Sequence, residues 1–334
     1  MELRIPIDKM IREYTRVLEG RGLTPPRAAL CARLVAETDR DGVYSHGLRR
    51  FGSLINNIDK GFVDPKAEPV LLTAAGALEQ WDSRRGPGNL AAWASMGRAI
   101  ELSRAHGLGC VALRGTTHWM RAGTYGWQAV EAGCIGICWT NTMACVPPWN
   151  AKSNALGNNP LVLAVPRKEG HVVLDMAMSQ FSVGKMAIHR DTGQPLPVYG
   201  GYDRYGQLSR DAAAVLEARR FLPAGLWKGA GLALLLDMIA AMLSGGSATF
   251  AMQGTPPEAS VAQVFIAIDP ARLSSPEHLE HVAEGAVALV LAAEPAAYGQ
   301  KVQYPGMRVL QTREENLRRG IPVEEALWRK VMGL

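Results

Sequence analysis

The side chains best suited to chemistry lie in one short polar stretch near the start of the chain. Asp39–Phe51 has the sequence DRDGVYSHGLRRF and places Ser45, His46 and Arg50 at the beginning of a helical pattern. Because His46 and Arg50 are four positions apart, they would project from the same face of a helix. An imidazole beside a guanidinium suits an enzyme that binds a carboxylate and moves a proton next to it. The alternative is a solvated helix face capped by a serine, since His-x-x-x-Arg occurs by chance in many helices.

Two more polar residues follow apolar segments that we predict to be strands. His118 lies in a glycine-containing loop after Cys110–Leu113, and such loops commonly bind ligands in open α/β sheets. Asp175 ends the apolar strand Val172–Leu174, where a buried carboxylate is costly unless it is paired. A histidine partner would be oriented by this carboxylate and would have its pKa raised. The alternatives are a loop histidine satisfied by its neighbours and a carboxylate that caps the following helix.

His46, His118 and Asp175 are all residue types that bind metal ions. A metal-dependent hydrolase or lyase is therefore a second hypothesis. None of the three lies in an H-x-x-H, H-E-x-x-H or C-x-x-C spacing, so we predict no metal.

The chain has no G-x-G-x-x-G motif for phosphate binding. Trp227 and Lys228 stand at the start of a long apolar helix, where free N–H groups, the positive end of the helix dipole and a lysine could hold a pyrophosphate. The alternative is a helix start without a ligand.

Composition predicts a soluble globular enzyme or binding protein. The 334 residues are 48% hydrophobic and 20% charged, with a net charge of +5 and a pI near 9.0. The densest basic groups are only pairs, which argues against nucleic acid and fits an anionic substrate or cofactor. The N-terminal MELRIPIDKM lacks the apolar segment of a signal peptide.

Cysteine usage and hydropathy predict a cytoplasmic protein with no membrane segment. The five cysteines are odd in number and lack a C-x-x-C spacing, which favours reduced thiols in the core. The longest hydrophobic run, Leu232–Leu243, contains Asp237 and is too short to span a bilayer. We predict that it forms a buried helix.

The predicted elements form a mixed α/β protein with helical ends. Apolar residues at helical spacing predict three helices in the first sixty residues and two near the C-terminus. Between them, helices alternate with short apolar segments typical of strands. The predicted strands are Leu78–Trp81, Cys110–Leu113, Ile135–Trp139, Leu161–Val165, Val172–Leu174 and Val264–Ile268.

Several segments together resemble one family over nearly the whole chain. VYSHGLRRF, THWMRAGTYGW, GICWTN, GNNPLVLAVP, VLDMAMSQFSVGK, LPAGLWKGAG and PGMR are similar to the malate/L-lactate dehydrogenase-like oxidoreductases, which are separate from the Rossmann-type enzymes. The resemblance implies an α/β (mixed α+β) fold with a non-Rossmann nicotinamide-binding mixed sheet. It also implies a helical domain from residues 1–70 and 294–334, a cofactor domain from 71–293, and a homodimer.

The resemblance assigns a role to each matching residue. His46 would be the proton donor, and Asp175 would lie near it and the nicotinamide. Substrate-binding positions would be Ser45, Arg50 (which grips the carboxylate), His118 and Asn141. Cofactor-binding positions would be His171, Val172, Val173, Leu174, Asp175, Met176, Ala177, Trp227, Lys228, Gly306, Met307 and Arg308.

The implied reaction is reduction of a 2-keto sugar acid by a nicotinamide cofactor. NADH is favoured and NADPH remains an alternative, since Arg308 falls where the family commonly has Glu. Malate, lactate, ureidoglycolate or a cyclic imino acid are alternative substrates within the family. A non-catalytic sugar-acid or nucleotide-binding protein is a further alternative, although every proposed catalytic position is intact.

Overall fold

The computed structural model describes residues 2–252, 260–297 and 299–333. The α-helices are α1 (Ile7–Glu19), α2 (Pro25–Arg40), α3 (Leu48–Asp59), α4 (Gly88–His106), α5 (Gly123–Glu131), α6 (Val183–Thr192), α7 (Ala212–Ala218), α8 (Trp227–Ser244), α9 (Pro276–Leu291), α10 (Met307–Arg319) and α11 (Glu325–Met332). The strands are β1 (Glu2–Ile5), β2 (Val70–Ala75), β3 (Leu78–Asp82), β4 (Leu108–Thr116), β5 (Ile135–Thr140), β6 (Leu161–Val165), β7 (Val172–Met176), β8 (Gly201–Tyr202), β9 (Leu208–Ser209), β10 (Arg220–Phe221), β11 (Val261–Ile268) and β12 (Ile321–Glu324).

The described part of the chain is organised around a seven-stranded mixed sheet, which confirms the predicted fold class. Its strand order is β2-β3-β4-β11-β5-β6-β7. The pair β3–β4 is parallel and the other neighbouring pairs are antiparallel. β7 therefore lies at one edge, and in its register with β6 Asp175 stands opposite Val162.

Two hydrophobic cores cover the two faces of this sheet. Apolar residues of α4 and α5 pack on one face with side chains such as Val111 and Phe265. Residues of α6, α7 and α8 pack on the other, against Ala112 and Val264. Neighbouring residues of β4 and β11 thus point to opposite faces, and both faces are apolar because both are covered.

A third core is built by both ends of the chain. It joins α1, α2 and α3 to the C-terminal segment, and Tyr14 packs on Phe51 and Trp328 with ring centroids 4.4 and 5.9 Å apart. β1 pairs with β12, which aligns Ile5 with Ile321. This small sheet ties the two ends together, and it was not predicted because each strand pairs only with a partner more than 300 residues away.

Helix α8 differs from its prediction. The apolar run extends to an 18-residue helix, long and apolar enough by length and composition to cross a membrane, and only 39% of it is buried. One face covers the sheet, while Leu235, Ile239 and Met242 on another are exposed. The predicted start of a long apolar helix at Trp227 is confirmed, whereas the prediction that this helix is buried was wrong. A helix that is apolar on several faces is expected to be buried on those faces. The sequence alone does not show whether each face packs on this chain or on another molecule.

Candidate active site

His46 lies in the turn between α2 and α3. The turn is closed by the His46 N–H, which donates to the Val43 carbonyl over 2.9 Å, and α3 begins two residues later at Leu48. Arg50 thus occupies the first turn of α3, whereas His46 precedes the helix. The prediction that the two share a helix face was wrong, because Gly47 ends the turn at the N-cap position.

The two side chains nevertheless converge on His118. The rings of His46 and His118 stack with centroids 5.9 Å apart, and Arg50 Nε lies 3.3 Å from His118 Nε2. Arg50 and His118 line a small recess together with residues of α3 and the loop after β4. The other lining residues are Ser53, Leu54, Asn57, Val63, Thr117 and Met120. The structure therefore brings together three of the predicted site residues.

Two N–H groups are directed at the ring of His118. Arg50 donates its Nε–H to Nε2 over 3.3 Å, and the Met120 N–H points at Nδ1 over 3.0 Å. Burial, Arg50 and His46 hold the pKa of His118 well below its ordinary value, so the ring stays neutral. A neutral imidazole has a single acceptor nitrogen, so the ring accepts one of these two hydrogen bonds in each tautomer.

The groups around His46 shift its pKa in opposite directions. Burial lowers its pKa, the charge of Asp175 raises it, and Arg50 and Arg121 lower it further, with a net pKa below the ordinary value. The predicted effect of Asp175 is thus present in direction but is outweighed by burial. Ser45 Oγ lies 2.8 Å from His46 Nδ1 and can orient the ring.

Asp175 is held at the edge of the sheet. Its Oδ2 accepts the Gly123 N–H over 2.8 Å at the start of α5, where the helix dipole favours a negative charge. A Cβ at Gly123 would come within 2.7 Å of that oxygen, so glycine permits this approach. Asp175 itself is exposed, which corrects the prediction of a buried carboxylate at a strand end. It follows that its charge can act on a ligand.

Asn141, a predicted substrate-binding residue, does not line the recess and points into the protein interior. The side chain is fully buried. Its Nδ2 donates to Asp237 Oδ1 and to the Ser247 carbonyl, each over 2.8 Å, and its Oδ1 accepts the Ala262 N–H over 2.7 Å. These bonds use both amide hydrogens and satisfy the oxygen, so Asn141 joins α8 to the end of β5 and β11.

A buried charge network behind the site was missed from the sequence. Asp41 accepts hydrogen bonds from Arg40, Arg121 and Arg313, which connect α2, the loop before α5 and α10. Burial alone would raise the pKa of Asp41, but the arginines outweigh it and lower the pKa to about 2. The partners are 80 and 272 residues away for Arg121 and Arg313, so no local pattern indicates them.

The three predicted cofactor segments meet along β7. The Val173 N–H donates to the Pro305 carbonyl over 2.9 Å, just before the segment Gly306–Arg308. Beyond the other end of the strand, the Ala224 N–H donates to the Met178 carbonyl over 2.8 Å, three residues before α8 begins. Residues that are distant in sequence thus form one continuous surface at the sheet edge.

The chemistry of this surface fits a nicotinamide dinucleotide. Because Val173 directs its N–H away from β6, the backbone groups of Asp175, two residues on, point the same way. The N–H and C=O of Asp175 are one hydrogen-bond donor and one acceptor, and these complement the carbonyl and the amino group of a nicotinamide carboxamide. Lys228 and Arg308 are exposed in the first turns of α8 and α10, and a cation at a helix start suits a pyrophosphate.

No comparable set of ligands favours the metal hypothesis. Within residues 2–252, 260–297 and 299–333, the His, Cys, Asp and Glu side chains form no group of three that could hold a metal ion. His46, His118 and Asp175 lie in one region but point to different partners.

The sequence matches the family model described as malate/L-lactate dehydrogenase over residues 5–332, and the chain belongs to this family of oxidoreductases acting on CH–OH groups. Family membership implies a nicotinamide cofactor. This confirms the resemblance found in the motifs.

Individual relatives differ in the activity for which they are named. A 2,3-diketo-L-gulonate reductase of Citrobacter koseri is 42% identical over 99% of this chain and 100% of its own length. Among solved structures, the sulfolactate dehydrogenase of Methanocaldococcus jannaschii is 26% identical with a TM-score of 0.92, covering 99% of this chain and 98% of that one. The delta1-piperideine-2-carboxylate reductase of Pseudomonas syringae is 28% identical with a TM-score of 0.87, covering 99% of each chain.

Proposed function

We propose that the chain is a nicotinamide-dependent reductase of a 2-keto sugar acid, converting 2,3-diketo-L-gulonate to 3-dehydro-L-gulonate with NADH as the preferred cofactor. The observation that carries the proposal is the convergence of His46 and Arg50 on His118 beside the sheet edge. The 42% identity to reductases named for this substrate supports the choice of keto acid.

The recess supplies the groups that recognise and orient such a substrate. Arg50 binds the carboxylate, because a guanidinium can donate two parallel hydrogen bonds to it. His118 lies against Arg50, hydrogen-bonds to a neighbouring oxygen of the keto acid and holds the substrate in place. Ser45 keeps the ring of His46 turned toward the reacting carbon.

His46 donates the proton that completes the reduction. A nicotinamide bound along β7 would supply the hydride, and His46 would give its proton to the oxygen on which negative charge develops. In the free site the pKa of His46 is low, partly because of Arg50. A bound carboxylate offsets the charge of Arg50 and raises the pKa of His46. Substrate binding thus favours the protonated donor at the moment when it is needed.

The choice of substrate is tested by a panel of keto acids. We expect the wild-type chain to oxidise NADH fastest with 2,3-diketo-L-gulonate and more slowly with oxaloacetate, pyruvate or a cyclic imino acid, as followed by loss of reduced-nicotinamide absorbance. Repeating the panel with NADPH measures the cofactor preference. Faster turnover of oxaloacetate, pyruvate or the imino acid would replace the proposed substrate by another of the family.

We also propose that the protein is a cytoplasmic homodimer. Five free cysteines fit a reducing compartment. Leu235, Ile239 and Met242 are spaced to form one apolar stripe on α8, and they are 54%, 41% and 72% exposed in the single chain. A second copy that covers this stripe would remove it from water.

The oligomeric state is tested by sedimentation. We expect a dimer for the wild type and a shift toward monomer for Met242→Lys. Leu273→Lys, at an apolar residue that is 84% exposed outside α8, is the matched control and leaves the dimer intact. A monomeric wild type, or equal effects of the two substitutions, would reject this interface.

A further inference from the structure

A buried carboxyl group lies directly behind the His46 turn. Asp39 is in the last turn of α2, and its side chain is only 2% exposed. Its Oδ2 accepts the Leu48 N–H over 2.8 Å and the Tyr14 hydroxyl over 3.2 Å. Asp39 is thus bonded to the first residue of α3, two positions after His46 and two before Arg50.

This carboxylate caps a helix to which it does not belong. The N-cap residue of α3 is Gly47, which has no side chain with which to accept an N–H of the first turn. Asp39 supplies that acceptor from α2 through its Oδ2. The first turn of α3, which carries Arg50, is therefore fixed to α2 by this bond.

Contact between Asp39 and Gly47 is as close as a glycine allows. A Cβ built on Gly47 would lie 1.9 Å from Oδ1 and 2.3 Å from Oδ2 of Asp39. No side chain fits there unless the carboxyl group or the turn moves. The residue after His46 is thus held against Asp39 by packing as well as through the neighbouring hydrogen bond.

Burying a carboxyl group at this place is unfavourable, because the charged form loses its hydration. Burial raises the pKa of Asp39 to about 8, although the bonds from Leu48 and Tyr14 act to lower it. An apolar side chain would avoid this cost but could not cap α3. The side chain of Asp39 is therefore a polar group at the border of the helical core, which includes Tyr14, Leu48 and Phe51.

We propose that Asp39 is a positioning residue of the reductase, which sets the distance and angle between His46 and Arg50 by holding the joint Gly47–Leu48. This proposal rests on the function proposed above. Both groups must reach adjacent atoms of one small substrate, and a misplacement of about 1 Å can cost about 100-fold in rate. Asp39 touches neither substrate nor cofactor.

The first test compares Asp39→Ala, Asp39→Asn and Tyr14→Phe. Asp39→Ala removes the cap and is expected to lower kcat for the keto acid by about 10- to 100-fold, with a higher KM, while NADH binding measured by fluorescence is unchanged. Asp39→Asn keeps an oxygen acceptor for Leu48 and is expected to recover most of the lost kcat. Tyr14→Phe removes the other bond of Asp39, lowers Tm, and leaves kcat near that of the wild type.

A second test uses the contact with Gly47 and does not depend on a stability comparison. Gly47→Ala is expected to reduce kcat strongly because the new methyl group overlaps the carboxyl group. The double variant Gly47→Ala/Asp39→Ala relieves this overlap and is expected to be more active than Gly47→Ala alone. Rescue of this kind shows direct coupling between the two positions. A double variant less active than both single variants would overturn the proposal.

The outcomes also separate this proposal from the function on which it rests. If His46→Ala is inactive but Asp39→Ala turns over like the wild type, Asp39 has no positioning role and the proposed function stands. If kcat falls equally in Asp39→Ala and Tyr14→Phe, the effect is one of stability and the positioning role is rejected. If His46→Ala remains fully active, the proposed function itself fails.

Discussion

The helical region and the edge of the sheet hold their functional groups in different ways. In the helical region, buried carboxyl groups fix the site: Asp39 caps α3, and Asp41 joins three arginines. At the sheet edge, the groups offered to a cofactor are backbone amides of β7 and exposed cations on helix starts. Substitutions in the first region therefore disturb geometry, whereas substitutions of exposed cations in the second remove one contact each.

The largest expected effect is that of His46→Ala. Loss of a positioned general acid should lower kcat by about 10²- to 10⁴-fold. NADH affinity should be unchanged, because the proposed cofactor contacts lie along β7. Turnover with saturating keto acid and a fluorescence titration with NADH measure the two quantities. Turnover close to that of the wild type would remove His46 from the role of proton donor.

Arg50→Ala should act mainly on substrate capture. A hydrogen bond to a charged group contributes about 1.5–3 kcal/mol, so KM for the keto acid should rise by about 10- to 100-fold. Arg49→Ala is the matched control, since Arg49 is adjacent but forms an exposed ion pair with Glu324. The control should leave KM unchanged. Equal changes in the two variants would show that general positive charge, and not Arg50, binds the carboxylate.

The pH dependence of reduction should differ between free and substrate-bound enzyme. His46 must be protonated to donate, so kcat/KM should fall as pH rises through its pKa. That pKa is below the ordinary value in the free site because of burial, with Asp175 opposing and Arg50 and Arg121 adding to the shift. A bound carboxylate raises it, so the fall in kcat should occur at a higher pH than the fall in kcat/KM. Profiles that coincide would contradict the coupling between Arg50 and His46.

A smaller effect is expected at the sheet edge. Lys228→Ala removes one exposed cation from the start of α8, and an exposed ion pair contributes about 0.2–1 kcal/mol. The Kd for NADH should therefore rise by only about two- to fivefold, with KM for the keto acid unchanged at saturating NADH. Titrations at low and high salt check the electrostatic origin, since screening should reduce the difference. An unchanged Kd would place the pyrophosphate elsewhere.

Local patterns were sufficient for most of the fold. The helical spacing in α1 and the short apolar segments of β5, β6 and β11 predicted these elements because each buries a regular stripe or run. β1 and β12 could not be predicted in this way, since their strand character depends on a partner more than 300 residues away. β2 was also missed, because most of its residues are exposed.

The site contains residues that the sequence identifies and residues whose roles depend on tertiary packing. His46, Arg50 and His118 could be selected by residue type and motif, and the structure brings them together. The sequence did not show that the Asn141 side chain bonds to the interior, since a polar residue after a strand can face either a ligand or the core. Asp39 is close to His46 in sequence, yet its role becomes visible only in the packing of α2 against the turn at Gly47.

The central claim is that the two regions act separately, one on the substrate and the other on the cofactor. A single set of NADH titrations tests it most directly, with the wild type, Arg50→Ala, Lys228→Ala and the double variant. We predict that Arg50→Ala binds NADH like the wild type, and that Lys228→Ala and the double variant are weakened equally. A loss of NADH affinity in Arg50→Ala as large as that in Lys228→Ala would contradict this division.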